Sequence, residues 1–559
     1  MSDKADLLLK NLKVVNVFTD QIEEKNIAVK NGRIIGFGDY CADEEIDYKG
    51  FFAAPGLIDS HVHIESSMVS VPEFAKAVLK SGTTTVVADP HEIANVLGTK
   101  GIDYMISSSK NLPVDIFFMI PSCVPSTNME TSGAVIEAED IKPYFENPLV
   151  AGLGEVMNYP GVIAGDPKVI AKINACLESK KTVDGHAPFV TGKDLCAYVN
   201  AGVSSDHECV CHEEALEKLS LGMNIMVREG TCARNLNDLF PAINEKNSEK
   251  MMWCTDDRHP HDLSHGHISE IVRDAVSLGL DPIIAIRMGT WSACGHFKFT
   301  DRGAIAPGKI ADLIIFKDLA NFNPHIIYKS GKKVFENGEY TKTVSFGSLP
   351  ESPKVMNVDP ETLDFSIECE ENKKINIIGV IEHQVITKRF KDVPKIENGF
   401  AVSDTKRDIL KLCVVERYSG KGRTGKGFVK GFGIKKGAFA SSVGHDSHNI
   451  IVCGTNDEDM KTAAKKVIEM KGGFAVCESG KILACLALPI AGLMSEKTLD
   501  EVKAELDDVL DAVKKIGAIQ KDPFISLGFL SLPVIPELKL TDFGLIDVSK
   551  FEKISLFTD

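Results

Sequence analysis

The chain contains no apolar run long enough to cross a bilayer, and it has no surplus of positive charge. Its 63 Lys and Arg stand against 79 Asp and Glu, a formal net charge of −16, which repels phosphate backbones and anionic membrane surfaces. Neither nucleic acid nor a membrane is expected as a partner. The opening "MSDKADLLLKNLKVVNV" lacks the basic start and continuous apolar core of a secretory signal. The 14 cysteines are scattered, without the dense spacing of a disulfide framework. Reduced thiols and a cytoplasmic location are therefore expected. "CVCH" at Cys209 to His212 has no second Cys or His pair at knuckle spacing, so core and loop thiols are the reading there. Low-complexity tracts and repeats other than a β/α alternation are also lacking.

What is present is ample apolar material: 559 residues at 44% hydrophobic content can bury several cores. Residues 6–50 read as short strands with turn signals, Asn31-Gly32 suiting a tight hairpin. After about residue 303, "GAIAPGKIADLIIFKD" and "IIYKSGKKVFENGEY" return to the same style. Between them, eight apolar, β-branched runs alternate with helix-length amphipathic stretches, as parallel strands with helical crossovers do. The fold expected is α/β. A (β/α)8 TIM-like barrel occupies 55–302, a small β-sandwich is built from the flanking segments 1–54 and 303–345, and a C-terminal α/β domain follows over 346–559.

The first run, "PGLIDSHVHIES", carries two imidazoles one residue apart. Side chains alternate along an extended segment, so His61 and His63 share a face and Val62 takes the other. Alone, the pair is as easily two solvated loop histidines. Further polar residues decide otherwise, because His91, Glu92, Glu155, His186, His207, Arg228, Glu229, Asp256 and Asp257 all fall at or just past the ends of the later runs. Barrel active sites are built at those carboxyl ends. A hydrolytic metal centre needs neutral imidazoles, a carboxylate bridge and an open position for water. His61, His63 and Asp256 can hold one ion, His186 and His207 a second, and Glu155 can bridge them.

With these residues in barrel order, the sequence resembles the amidohydrolase superfamily, from residue 6 to about 340. Its members carry H-x-H on strand one, a bridging Lys or Glu on strand four, His on strands five and six, and Asp on strand eight. "ADPHEIANVLG", "GLGEVMNYPGV", "DGHAP", "SSDHE" and "GHDSHNI" resemble the branch that deaminates adenine, and this likeness extends through the C-terminal third. The resemblance implies hydrolysis of adenine to hypoxanthine and ammonia by attack of a metal-bridging hydroxide on C6. It implies two divalent ions, Mn²⁺ or Fe²⁺ with Zn²⁺ as the alternative, and a homo-oligomer. Glu155 is already a carboxylate, so no carbamylated lysine is needed.

The residues suit that chemistry on their own terms. Asp256 is placed to take the hydroxide proton and pass it to the departing amine. Glu92 and His91 are candidates to serve the ring nitrogen, or form a structural hydrogen bond to the strand-one loop. Arg228 and Glu229 either read the purine edge or pair with each other, the ion pair being preferred. Ser122 lines the pocket or is a turn residue. His259, His261, His265 and His267 read as a lid or loop. A cyclic-amide or amide hydrolase is the alternative function, but its anionic substrates call for several cations at strand ends and only Arg228 fits. A scaffold that has lost catalysis would lack metal ligands, and all six are here. "GKGRTGKG" at Gly420 to Gly427 ends in Gly where a phosphate loop needs Ser or Thr, and is read as a loop. "GHDSHN" at Gly444 to Asn449 lacks the strand-to-helix elbow of a nucleophile; reach to the barrel mouth across a domain or subunit interface is the other reading.

Overall fold

The computed structural model describes residues 4–370, 373–381 and 384–558. All eight expected runs form strands: β1 (Leu57–Val62), β2 (Thr83–Ala88), β3 (Asp115–Ile120), β4 (Val150–Val156), β5 (Thr182–Gly185), β6 (Ser205–Asp206), β7 (Asn224–Arg228) and β8 (Met251–Cys254). Strands β1 to β5 pair in parallel in sequence order, as do β6 to β8. The Ser204 N–H donates to the Val183 carbonyl at 3.0 Å across one seam. Across the other, the Asp256 N–H donates to His61 O at 3.0 Å and the His63 N–H to Asp256 O at 3.1 Å. The parallel sheet thus curls round on itself as a TIM-barrel-like fold.

Strands covered on both faces read as nearly unbroken apolar runs, and β1, β2, β4, β7 and β8 are buried along their whole length. Ile58, Val87, Met119, Ala151, Met226 and Met252, one each from six of the strands, pack together, and Phe297 packs with them. Val62, Ala88, Phe118 and Val183 instead join an outer core with the helices. In β1 strict alternation from Ile58 would send Val62 inward and His61 outward. The register shifts between Asp59 and Val62, and that irregularity turns both imidazoles into the mouth.

The two flanks meet in one nine-stranded sheet that includes Lys4–Asn16 and Leu313–Phe316 on either side of Phe52–Pro55. Leu313 and Ile315 pack within the flanking unit, while Ile314 and Phe316 face the barrel helices. The Tyr48 and Tyr328 hydroxyls join the flanks at 2.7 Å. At the hairpin, Asn31 and Gly32 both take positive φ, 51° and 74°, which is why that dipeptide turns there.

The last third has its own nine-stranded sheet, covered by two helices. Asp457–Glu469 starts at Asn456, whose side chain accepts from the Asp459 N–H, and Leu499–Lys515 starts at a Thr498–Glu501 capping box. In "GKGRTGKG" the loop reading holds for residues 420–423, whereas Thr424–Lys430 is an inner strand between Leu410–Val415 and Lys374–Val380. Its glycines serve packing: a Cβ on Gly425 would lie 1.8 Å from the Thr541 carbonyl oxygen. This third seats directly on the barrel. Asp542 accepts from the Thr131 N–H and hydroxyl at 2.9 and 2.6 Å, the Asn449 amide donates to Thr131 O at 2.8 Å, and the Ser495 N–H donates to Met68 O at 2.8 Å.

The closeness of β4 and β5 gives a test. A Cβ on Gly152 would meet the Thr182 carbonyl oxygen at 1.9 Å, and overpacking of this kind costs about 1–3 kcal/mol. Gly152→Ala is expected to lower the thermal midpoint accordingly. An unchanged midpoint would show that the two strands can part without cost.

Candidate metal centre

The six residues expected to bind metal converge at the carboxyl ends of the strands. The Nε2 atoms of His61 and His63 lie 3.1 Å apart, and Asp256 Oδ1 is 3.4 and 3.2 Å from them. The two oxygens of Glu155 face opposite ways. Oε1 is 3.2 Å from His63 Nε2 and 3.3 Å from His91 Nδ1, while Oε2 is 2.5 Å from His186 Nδ1 and 3.2 Å from His207 Nε2. The His61 and His207 rings stack at 4.0 Å. All are buried except His186, whose side chain is 28% exposed.

These rings are oriented from behind. His63 Nδ1 faces the Asp89 carbonyl at 2.9 Å, so that nitrogen carries its proton and Nε2 offers a lone pair. His61 Nδ1 faces the Asp184 carboxylate at 3.3 Å, with the same consequence. Two lone pairs 3.1 Å apart repel unless a cation lies between them. Asp89 also accepts from the Glu155 N–H at 2.9 Å, and a Cβ on Gly154 would strike that carboxylate at 2.1 Å. Glycine is required there for Asp89 to hold β4 in place.

The electrostatics point the same way. Burial pushes Glu155 up, but the imidazoles of His186, His207 and His63 pull it well below the usual carboxylate range. Burial also opposes ionisation of Asp256, and His61, His63 and Arg228 overcome it. In turn His61, which burial alone would lower, is raised to about 10 by Asp184 and Asp256. The cluster draws positive charge. Its donor set of imidazole nitrogens and carboxylate oxygens fits divalent metal ions, which would take the place of those protons. Among the described residues five groups of compatible ligands can be drawn: His61 with His63 and Asp256, His61 with Glu155 and His207, His63 with His91 and Glu155, His186 with His207 and Glu208, and His91 with Glu92 and Asp446.

Arg228 does not pair with Glu229. Its guanidinium reaches Glu208 and, at 3.0 Å, Asp256 Oδ2, because the end of β7 points it at the centre. Glu229 turns away and accepts from the Leu236 N–H at 2.7 Å. Ser122 donates to the Glu155 carbonyl, supporting β4. The four histidines after β8 diverge. His259 lines the cavity beside the centre, His261 meets Asp507 at 2.7 Å, and His267 is buried on Asp59 at 3.1 Å and Thr83 at 2.8 Å.

Several residues of the site were not singled out by sequence. Glu208 directly follows His207 in "SSDHE", and that adjacency was the available signal. Asp89, Asp184 and Glu65 sit in the quoted motifs without a pattern to mark them. "GHDSHN", by contrast, was singled out, and of its two readings the reach to the barrel mouth is the one observed, within the chain: His445 Nδ1 is 2.8 Å from Glu92 Oε1, and His448 Nε2 contacts Glu92 Oε2. Burial pushes Glu92 up, but His445, His448 and His91 hold it well below the ordinary range. The cavity there is lined by barrel residues such as Glu65, Glu92 and Asp257, and by Val443, His445, Leu493 and Phe529 of the last third.

Comparison with known proteins follows this division. The amidohydrolase family model matches residues 52–334, and that of the adenine deaminase C-terminal domain matches residues 384–552. A protein named adenine deaminase from Desulfatibacillum aliphaticivorans is 51% identical over 555 residues, covering 99% of this chain and 97% of that one. Another adenine deaminase, from Kosmotoga olearia, is 47% identical over 563 residues, covering 99% and 96%. Among solved structures, the beta-aspartyl dipeptidase of Fervidobacterium islandicum AW-1 is 16% identical with a TM-score of 0.46, covering 60% of this chain and 97% of that one.

Removal of the bridge tests the centre directly. The wild-type chain is expected to retain two divalent ions and Glu155→Gln fewer, as counted by inductively coupled plasma mass spectrometry, because a neutral amide is a poor ligand between two cations. Two ions retained by the variant would show that Glu155 is not the bridge.

Proposed function

The chain belongs to the amidohydrolase family, and from that membership and the geometry of the centre we infer that it is an enzyme hydrolysing adenine to hypoxanthine and ammonia. The observation that carries this reading is full-length similarity, 51% over 99% of the chain, to a protein named adenine deaminase. His61, His63 and Asp256 are proposed to hold one ion and His186 and His207 the other, with Glu155 between them. When bound, divalent cations supply Lewis acidity and activate water as the nucleophile for C6 at neutral pH. Manganese or iron is the proposed metal, with zinc the alternative.

Asp256 acts as base and then acid. One of its oxygens faces the imidazoles and the other Arg228, and that guanidinium keeps the carboxylate ionised and aimed. Water bound against it loses a proton to Asp256, which passes it to the departing amine. Glu92, with His91 behind it, is proposed to serve the ring nitrogen on which charge develops, exchanging its proton with the facing imidazoles. Glu65 Oε2 is buried without a partner beside the same cavity, which leaves it to meet a purine N–H. Ser122, which donates to the Glu155 carbonyl, and Glu229, which accepts from the Leu236 N–H, are proposed to support the site through those contacts.

No Lys or Arg lines that cavity among the described residues, and Arg228 is engaged with two carboxylates. Both facts favour a neutral base over the anionic substrates of amide hydrolases. We place the boundaries of the sandwich at 1–54 with 303–345, of the closed (β/α)8 barrel at 55–302, and of the C-terminal domain at 346–559. A cytoplasmic homo-oligomer without nucleic-acid or membrane partners completes the reading.

Two experiments check it. Ammonia release is expected from adenine and not from adenosine, and a comparable kcat/KM on both would overturn the free-base assignment. Asp256→Asn, reconstituted to equal metal content, is expected to lose roughly 10²–10⁴-fold in kcat, the usual range for a general acid–base group. A larger loss in Glu92→Gln than in Asp256→Asn would reverse the two roles.

A further inference from the structure

Glu92 is where the two halves of the chain meet. It lies in the first turn of the helix His91–Leu97, just past β2, and is 3% exposed. Its carboxylate nevertheless has partners on both oxygens: His91 Nε2 of the barrel lies 3.5 Å from Oε1, and the two nearer partners come from the last third. His448, 356 residues away in sequence, puts Nε2 on Oε2, while His445 puts Nδ1 2.8 Å from Oε1.

The His448 tautomer follows from the backbone. Its Nδ1 lies 3.3 Å from the Gly444 N–H, which can only donate. Nδ1 is therefore the acceptor, and the proton of the neutral ring sits on Nε2, aimed at Glu92. The loop that carries the ring is held from several sides. Tyr418 donates its hydroxyl to Ser447 O, the Asn449 amide donates to Thr131 O at 2.8 Å, and the Ser531 hydroxyl donates to His445 O at 3.2 Å. The His445 ring stacks on Phe529 at 4.5 Å and 15°. Two rings anchored this way leave the carboxylate one orientation at the cavity wall.

We propose that His448, carried by the C-terminal third, is a positioning residue for the deamination, fixing the Glu92 carboxylate at the cavity so that the barrel alone does not hold a complete active site. The proposal rests on the adenine reading above. It assigns the C-terminal third a part in the chemistry as well as in packing. A residue that acts through Glu92 has nothing left to do once Glu92 is gone, whereas a residue that only supports the fold remains needed.

The test uses the full-length, metal-loaded protein, with melting temperature and metal content measured for every variant. His448→Ala is expected to lower kcat for adenine by about 10–100-fold with a much smaller change in KM. His448→Gln, whose amide nitrogen reaches the place of Nε2, is expected to recover most of kcat, and His448→Asn, which reaches only the place of Nδ1, is not. In a Glu92→Gln background, His448→Ala is expected to cost nothing further. Additive losses in the double variant, or Asn equal to or better than Gln, would overturn the proposal. If His448→Ala does not fold, the Gln and Asn comparison decides by itself. A wild-type chain that releases no ammonia from adenine overturns the underlying reading and this one with it; an active wild type with the contrary variant pattern overturns this one alone.

Discussion

Imidazole nitrogens and carboxylate oxygens crowd the barrel mouth at separations near 3 Å, buried except at His186. Desolvated charge of that density must be balanced on the spot. Glu155 sits at the middle of the balance, one oxygen facing His63 and His91, the other His186 and His207. Divalent cations can satisfy all of these groups together, so the architecture around them is a frame for holding ligands against mutual repulsion.

That frame is built in layers. Behind the imidazoles, the Asp89 carbonyl and the Asp184 carboxylate set which nitrogen faces inward. Asp89 in turn fixes the backbone of β4, and Asp59 ties β1 to the start of the β8 loop through the Thr255 N–H at 3.1 Å. Arg228 pairs with two carboxylates at once, so its charge is spent inside the site. The C-terminal third adds a wall: Thr131, in the loop after β3, is tied to Asp542 and Asn449, which brings the Gly444–Asn449 loop over Glu92.

Much of this was legible in the chain. The eight strand runs and the hairpin at Asn31-Gly32 rest on local periodicity and turn chemistry, which a sequence displays directly. The six candidate ligands stood out because imidazoles and carboxylates recurred at the ends of apolar runs. Arg228 was harder: the adjacent Glu229 offered a partner in sequence, but neighbours on a strand point to opposite faces, and the partners chosen were Glu208 and Asp256. The second half of "GKGRTGKG" was misread because glycines that admit a crossing backbone look, in sequence, like glycines of a loop.

Sequence by itself determined that His61 and His63 share a face and that ligand-type residues close the strands, because side-chain alternation is a property of a few consecutive residues. Which face they share was decided by the register shift between Asp59 and Val62, which depends on pairing with β2. The meeting of Glu92 with His445 and His448 was also decided only by tertiary structure. No periodic signal connects residues 356 positions apart. Their contact exists because the C-terminal sheet packs onto the barrel loops and closes the chain there.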